Sequence, residues 1–406
     1  MPTDPARRLF SLSIGVFLIG GFLSSLVNLY VPRLTLFYGL DYARALLVQF
    51  AFHLSYLVFA APIGAAIVRL GYMRSAATGL AVMAAATGFL LVAHGLHSYL
   101  LILAALLALS GGITFLQIAA NTVVAVVGDG GGAAFRLTFL QAFNSIGTVV
   151  APLAAAPFLL DAAAPREGAA AAAAIAPPFL AAAAVLIVLT IAFIAARGLL
   201  DRTPEAATAG RAIDWRALVG NRRLMAGAAA IFAYVGAEVA IGALLVNYLV
   251  DPAVLGAGAI AAARLVSLYW GGALVGRALG AFVMRRVAPA RLLALAALGA
   301  AALTALAAAA EGPIGAVALI AVGLCNSIMY PTIYVLALPR DPALATPGAT
   351  ILCMAVVGGA IVPVLTGLVA DATTLAAALA LPAACYLAIA AFARAARPQG
   401  ARLAWS

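Results

Sequence analysis

A single carboxylate, Glu238, lies in the middle of an apolar stretch, Ile231 to Leu249, that is long enough to cross a bilayer. An acid at that depth costs several kcal/mol unless it binds a proton or cation or accepts hydrogen bonds, so such a group is by default a functional one. The competing reading is a hydrogen-bonded structural acid. The other acidic residues, of thirteen in all, fall at segment ends or in loops.

Polar residues elsewhere fall into rows at the three-, four- and seven-residue spacing that shares a helix face. They are Gly21, Ser24, Ser25 and Asn28; Thr114, Gln117 and Asn121; Gln141, Asn144, Ser145 and Thr148; Tyr234, Glu238 and Gly242; and Asn326, Ser327, Tyr330 and Tyr334. Facing lipid, these amides would leave donors and acceptors unpaired, so the rows must face inward. Any one amide serves equally well as interhelical glue, at about 1 kcal/mol per bond. Five rows at mid-span depth favour a polar cavity. Amides and hydroxyls without fixed charges suit a neutral polyhydroxylated solute, because a sugar hydroxyl both donates and accepts.

An anionic solute would want a buried arginine. Only Arg277 approaches mid-depth, and it lies nearer the inner end, where its head can snorkel outward. Trp270, one turn from Ser267, is suited to stack on a sugar ring, with packing or interface anchoring as the alternative. His53 reads as a core histidine, and His94 and His97 as outer-loop residues. Gly130-Gly131-Gly132 lacks the Lys-Ser/Thr of a phosphate loop, which argues against an ATP-driven pump. Cys325, Cys353 and Cys385 form neither a disulfide framework nor a metal spacing, so no metal site and no cofactor is expected.

The elements that position these residues follow from composition. Of 406 residues, 66% are hydrophobic and 9% charged, whereas a soluble domain is about a quarter charged. Breaks at Gly, Pro and charged residues leave twelve candidate helices, near 9–31, 44–68, 75–94, 98–127, 135–160, 176–197, 223–250, 260–284, 290–309, 312–337, 347–370 and 372–394. The N-terminus is the first span rather than a signal peptide, since it lacks a small-x-small cleavage pattern. The net charge of +10 comes from arginine alone, as there is no lysine. Arg7, Arg8, Arg69, Arg74, Arg136, the central-loop arginines, Arg285, Arg286, Arg291, Arg394, Arg397 and Arg402 all fall on one side if both termini are cytoplasmic. The charge therefore reads as topology in the cytoplasmic (inner) membrane, with the lipid bilayer and not nucleic acid as its partner.

Three divisions emerge: a six-helix bundle over 1–197, a cytoplasmic linker over 198–222 and a second six-helix bundle over 223–406. The stretch Asp214–Leu218 in the linker could form a short surface helix, and the alanine-rich Asp161–Pro178 reads as an external loop. Gly64-x4-Arg69 after the second span repeats as Gly280-x4-Arg285 after the eighth, 216 residues on. Two pseudo-symmetric six-helix bundles are the major facilitator architecture, so the expected fold is an all-α membrane protein with twelve transmembrane helices.

Longer motifs carry a resemblance. They include Ser25-Leu-Val-Asn-Leu-Tyr-Val-Pro32, Leu47-Val-Gln-Phe-Ala-Phe52, Leu116-Gln-Ile-Ala-Ala-Asn121 and Gln141-Ala-Phe-Asn-Ser-Ile-Gly-Thr148. In the second half they include Tyr234 to Gly242 with Asn247-Tyr248, Leu268-Tyr-Trp-Gly-Gly272, Asn326-Ser-Ile-Met-Tyr-Pro-Thr332 and Leu352 to Pro363. In order, these resemble the fucose:proton symporter family of sugar transporters, including its glucose/galactose branch. The departures matter as much. The family's first-helix aspartate falls on Asn28, its fourth-helix glutamate on Gln117, and its eleventh-helix glutamine on Thr366. The family's proton-binding pair is thus missing, and Glu238 is the mid-span carboxylate left to serve.

The expectation is a cytoplasmic-membrane transporter of a neutral sugar (hexose or deoxyhexose), monomeric and working by alternating access. Asn28, Gln117, Asn121, Gln141, Asn144, Trp270 and Asn326 would bind the sugar. Glu238 would either hold a coupling proton or sodium ion or accept a hydrogen bond from a sugar hydroxyl directly. The alternative is a passive uniporter. A transporter-like sensor would want a soluble signalling segment, and the tail after Arg394 is too short for one. A drug exporter would want an aromatic cavity rather than amide rows.

Overall fold

The computed structural model describes residues 5–38, 42–126, 132–159, 168–200 and 215–396. Among them there is no strand, and twelve helices are long and apolar enough to cross a membrane. The first six are α1 (Pro5–Tyr38), α2 (Tyr42–Leu70), α3 (Tyr72–Gly95), α4 (Tyr99–Val126), α5 (Ala133–Leu159) and α6 (Gly168–Ala195). A short α7 (Trp215–Gly220) precedes α8 (Arg222–Val250), α9 (Ala259–Val283) and α10 (Pro289–Ala309). The last three spans are interrupted. The tenth is α11 (Pro313–Asn326) with α12 (Met329–Ala337), and the twelfth is α15 (Leu375–Ala378) with α16 (Ala380–Ala395). The eleventh is α13 (Pro342–Met354) and α14 (Gly358–Ala372), joined through a 3-10 turn at Ala355–Val357.

Two compact units form. One comprises Met1–Leu218 with Pro339–Ala360, the other Val219–Leu338 with Ile361–Ser406. In the first unit, glycines set the closest approaches. A Cβ on Gly21 would overlap the Asn144 carbonyl oxygen. One on Gly147 would overlap the Leu18 carbonyl oxygen and come within 2.7 Å of the Phe22 amide nitrogen. Helices α1 and α5 therefore touch backbone to backbone, the small-residue contact that holds membrane helices together where lipid offers no hydrophobic drive. Gly79 and Gly112 do the same for α3 and α4. Ser110 Oγ on α4 donates to the Phe52 carbonyl of α2 at 2.8 Å. Gly64 admits Thr350 of α13 against α2, and the Tyr72 and Thr346 hydroxyls pair at 2.8 Å.

In the second unit, Gly272, Gly276 and Gly280 of α9 form a row four residues apart. Cβ atoms on them would crowd Leu324, Ser327 and Ile328. Thus each glycine of the repeated Gly-x4-Arg motif, Gly64 and Gly280, marks a close helix approach. The row packs on the break in the tenth span, and the break has a covalent cause. Pro331 has no N–H to give the Ser327 carbonyl four residues earlier, and its ring crowds that carbonyl.

Three expectations need correction. The alanine-rich stretch is helical from Gly168, as the high helix propensity of alanine dictates. The tenth span is not continuous over 312–337, for the reason just given. His94 is not an outer-loop residue. It lies in the last turn of α3, fully buried, with its Nδ1 2.7 Å from the Tyr30 hydroxyl. His97 occupies the turn that follows, at a φ of 52°. Trp215 to Leu218 lie in the short helix α7, with Trp215 exposed.

Candidate functional site

Helices α1, α4 and α5 of the first unit enclose a cavity of about 380 Å³, its open mouth included. Gln117, Asn121, Gln141 and Asn144 all line it, with Phe17 and Ser24. The helical spacing of Gln117 and Asn121 puts both on one face of α4, where Asn121 Nδ2 donates to Gln117 Oε1 at 2.7 Å. The Tyr56 hydroxyl of α2 lies near Gln117. Asn144 Nδ2 donates to the Phe17 carbonyl at 3.1 Å, so this amide also ties α5 to α1. Ser24 Oγ donates to the Gly20 carbonyl at 2.9 Å. No charged side chain is among the described lining residues. A primary amide carries two donors and a two-lone-pair acceptor, so one bond to a neighbour does not exhaust it. The wall therefore offers hydrogen bonds of both senses to an uncharged solute. Asn28 lies further along α1, and its side chain falls outside the described residues.

The second unit holds the remaining candidates. Glu238, half-buried on α8, accepts a hydrogen bond from the Tyr234 hydroxyl one turn away at 2.7 Å. The Tyr269 hydroxyl of α9 donates to the Glu238 main-chain carbonyl at 3.4 Å. Asn326, fully buried at the end of α11, donates from Nδ2 to Tyr269 Oη at 2.7 Å. Asn326 Oδ1 and the Tyr386 hydroxyl of α16 are buried without a hydrogen-bond partner among the described residues. Trp270 is 37% exposed, packs edge-on to Tyr269 at 5.1 Å between centroids, and lies over Gly242. Its ring stands beside this polar cluster without bonding to it.

Arg277 is half-buried, and its Nε donates to the Ser327 carbonyl at 3.2 Å, the oxygen that Pro331 leaves without a helical donor.

Sequence reasoning missed Tyr56, Tyr269 and Tyr386. A buried tyrosine needs a partner for its hydroxyl, and each of the three lies in an apolar span that packs beside an amide-bearing one. That signal was present but silent about which amide.

Residues 12–343 match the Major Facilitator Superfamily. The chain is 39% identical over 377 residues to a glucose/galactose transporter of Brucella abortus, covering 92% of this chain and 90% of that one. It is 28% identical over 408 residues to the L-fucose-proton symporter of Escherichia coli, covering 95% and 92%. A crystal structure of the transporter FucP in the outward conformation superposes with a TM-score of 0.84 at 26% identity, over 96% of this chain and 98% of that one. The order of the spans, the motifs along them and these likenesses agree: the chain belongs to the Major Facilitator Superfamily and, within it, to the fucose:proton symporter family with its glucose/galactose-transporter branch.

Proposed function

We propose that the protein carries a neutral hexose or deoxyhexose across the cytoplasmic membrane by alternating access, coupled to a cation through Glu238. The observation that carries this reading is the convergence of Gln117, Asn121, Gln141 and Asn144 on one cavity whose described lining residues carry no charge. An uncharged solute rich in hydroxyls is the ligand class that four amides answer best. The names of the relatives point to the same class. The arginine distribution supports termini on the cytoplasmic side and bundles over 1–197 and 223–406. We assign the sugar-binding role to the four amides, with Asn28, Trp270 and Asn326 as further contacts, and the coupling role to Glu238.

The test is a thermal-shift panel on the purified protein with hexoses, deoxyhexoses and amino sugars, with and without sodium and across pH. At least one neutral sugar is expected to raise the unfolding midpoint, and a panel with no response overturns the reading. Gln141→Leu keeps the volume of the site but removes the amide. It should weaken binding of the responding sugar about tenfold to a hundredfold, the cost of leaving a buried hydroxyl unpaired. Unchanged affinity on titration would take Gln141 out of the site.

A passive uniporter is the second reading, favoured by Asn28 and Gln117 standing where the family carries carboxylates. Sugar counterflow indifferent to sodium and pH, with no accumulation against a gradient, would establish it.

A further inference from the structure

One residue of the cavity wall has no packing reason to be what it is. Gly20 lies within the first membrane span and lines the cavity beside Phe17, Ser24 and Asn144. Glycine is among the poorest helix formers, so a glycine inside a helix is explained where a Cβ would collide or where the backbone needs a positive φ. Neither holds at position 20. Its φ is not positive. Among the described residues, and its own helix backbone aside, a Cβ there would meet one atom within 4 Å, Asn144 Nδ2 at 3.7 Å, which is ordinary van der Waals contact. Gly21, the next residue, is the contrast. Its Cβ would overlap the Asn144 carbonyl oxygen, so packing accounts for it.

The one atom that a Cβ would meet accounts for Gly20. Asn144 Nδ2 carries two hydrogens, and one goes to the Phe17 carbonyl at 3.1 Å. The second has no acceptor among the described residues. The space left by the missing side chain therefore borders a hydrogen-bond donor. Ser24, one helical turn further along α1, donates its hydroxyl hydrogen to the Gly20 carbonyl at 2.9 Å, which leaves the Oγ lone pairs to accept. A donor and an acceptor thus flank the gap, both on residues that line the cavity.

We infer that Gly20 is a specificity-determining position: its missing side chain leaves a notch in α1 that admits one sugar hydroxyl against the second N–H of Asn144. The inference rests on the sugar-transport reading and names one subsite within that cavity. A hydroxyl in the notch accepts from Asn144 and donates to Ser24 Oγ, a two-way bonding that a C–H at the same ring position cannot give. Gly20→Ala fills the notch and leaves the α1–α5 contact intact, because Gly21 and Gly147 make that contact.

The experiment uses the full chain in detergent as wild type, Gly20→Ala and Gly88→Ala, with D-glucose, D-galactose, L-fucose and their monodeoxy derivatives as probes. Without sugar, the thermal midpoint of Gly20→Ala should equal or slightly exceed that of wild type, since nothing clashes and alanine favours the helix. A fall in the midpoint, or failure to fold, makes Gly20 a packing residue and overturns the inference. Affinity for the sugar that wild type binds should drop about tenfold in Gly20→Ala, the order of one lost hydrogen bond. It should stay at the wild-type value in Gly88→Ala, whose added carbon meets nothing and whose position is not among the described lining residues. The deoxy series then identifies the occupant. Removing the hydroxyl at one ring position should weaken binding to wild type and cost Gly20→Ala nothing further, because the two changes delete the same contact. Deoxygenation penalties that match wild type at every ring position mean that the methyl displaces no hydroxyl, and they sink the inference. Unchanged affinity of Gly20→Ala also overturns it, while the sugar reading stands. A wild type that binds none of these sugars defeats the sugar reading, and the subsite falls with it.

Discussion

Glu238→Gln is expected to abolish accumulation of sugar against its gradient and to leave sugar exchange intact. Glutamine is nearly isosteric with the protonated acid, and its carbonyl oxygen can accept the Tyr234 hydroxyl in place of Glu238 Oε1, so the bonding of the cluster survives. What is lost is the ability to take up and release a cation. Steady-state accumulation in energised vesicles should fall at least about tenfold, toward the ratio a uniporter reaches, since a single intramembrane ionisable group is asked to supply the whole coupling. Counterflow in de-energised vesicles should stay within about twofold of wild type, as expected when only the driving ion is removed. Wild-type accumulation by this variant would remove Glu238 from the coupling mechanism and bring the uniporter reading forward.

Gly147→Ala should be among the most damaging single methyls in the first unit. The added carbon meets the Leu18 carbonyl and the Phe22 amide, and backbone atoms cannot rotate aside. Spans one and five would have to separate. That would cost about 3 kcal/mol or more, the upper end for overpacking. It would also move Asn144, whose amide bridges the same two helices, away from the Phe17 carbonyl. Both the thermal midpoint and sugar affinity should drop together. Gly88→Ala is the control, because nothing lies within 4 Å of the position its Cβ would take. It should leave the midpoint unchanged or raise it slightly, as alanine favours a helix over glycine. Equal midpoints for the two variants would mean that the α1–α5 contact is not what holds the cavity wall.

The twelve spans were legible because apolar length is a one-dimensional property, and so were the amide rows, because helical periodicity fixes which residues share a face. Gln117 and Asn121 could be paired on paper from their spacing alone. That Gln141 and Asn144 would join them in one cavity depended on how closely α1 and α5 approach, which Gly21 and Gly147 decide. Glycine shows in a sequence, but its contact partner does not. The jointed tenth span was in principle readable from Pro331, since a proline removes a definite hydrogen bond four residues back. It stayed hidden because membrane helices often carry proline through unbroken, as α2 does at Pro62. His94 was misread because its partner, Tyr30, lies on a helix distant in sequence.

The glycine row on α9 gives the jointed span a bearing surface. With hydrogens at positions 272, 276 and 280, the end of α11 and the residues that join it to α12 seat directly against α9, so the knee at Ser327 lies in close contact with that helix. Tyr330 and Tyr334 ride on the distal limb of that knee, whereas Asn326 belongs to the proximal one. Any bend at that joint would carry the buried aromatic pair as one body with its limb, apart from the amide that holds Tyr269.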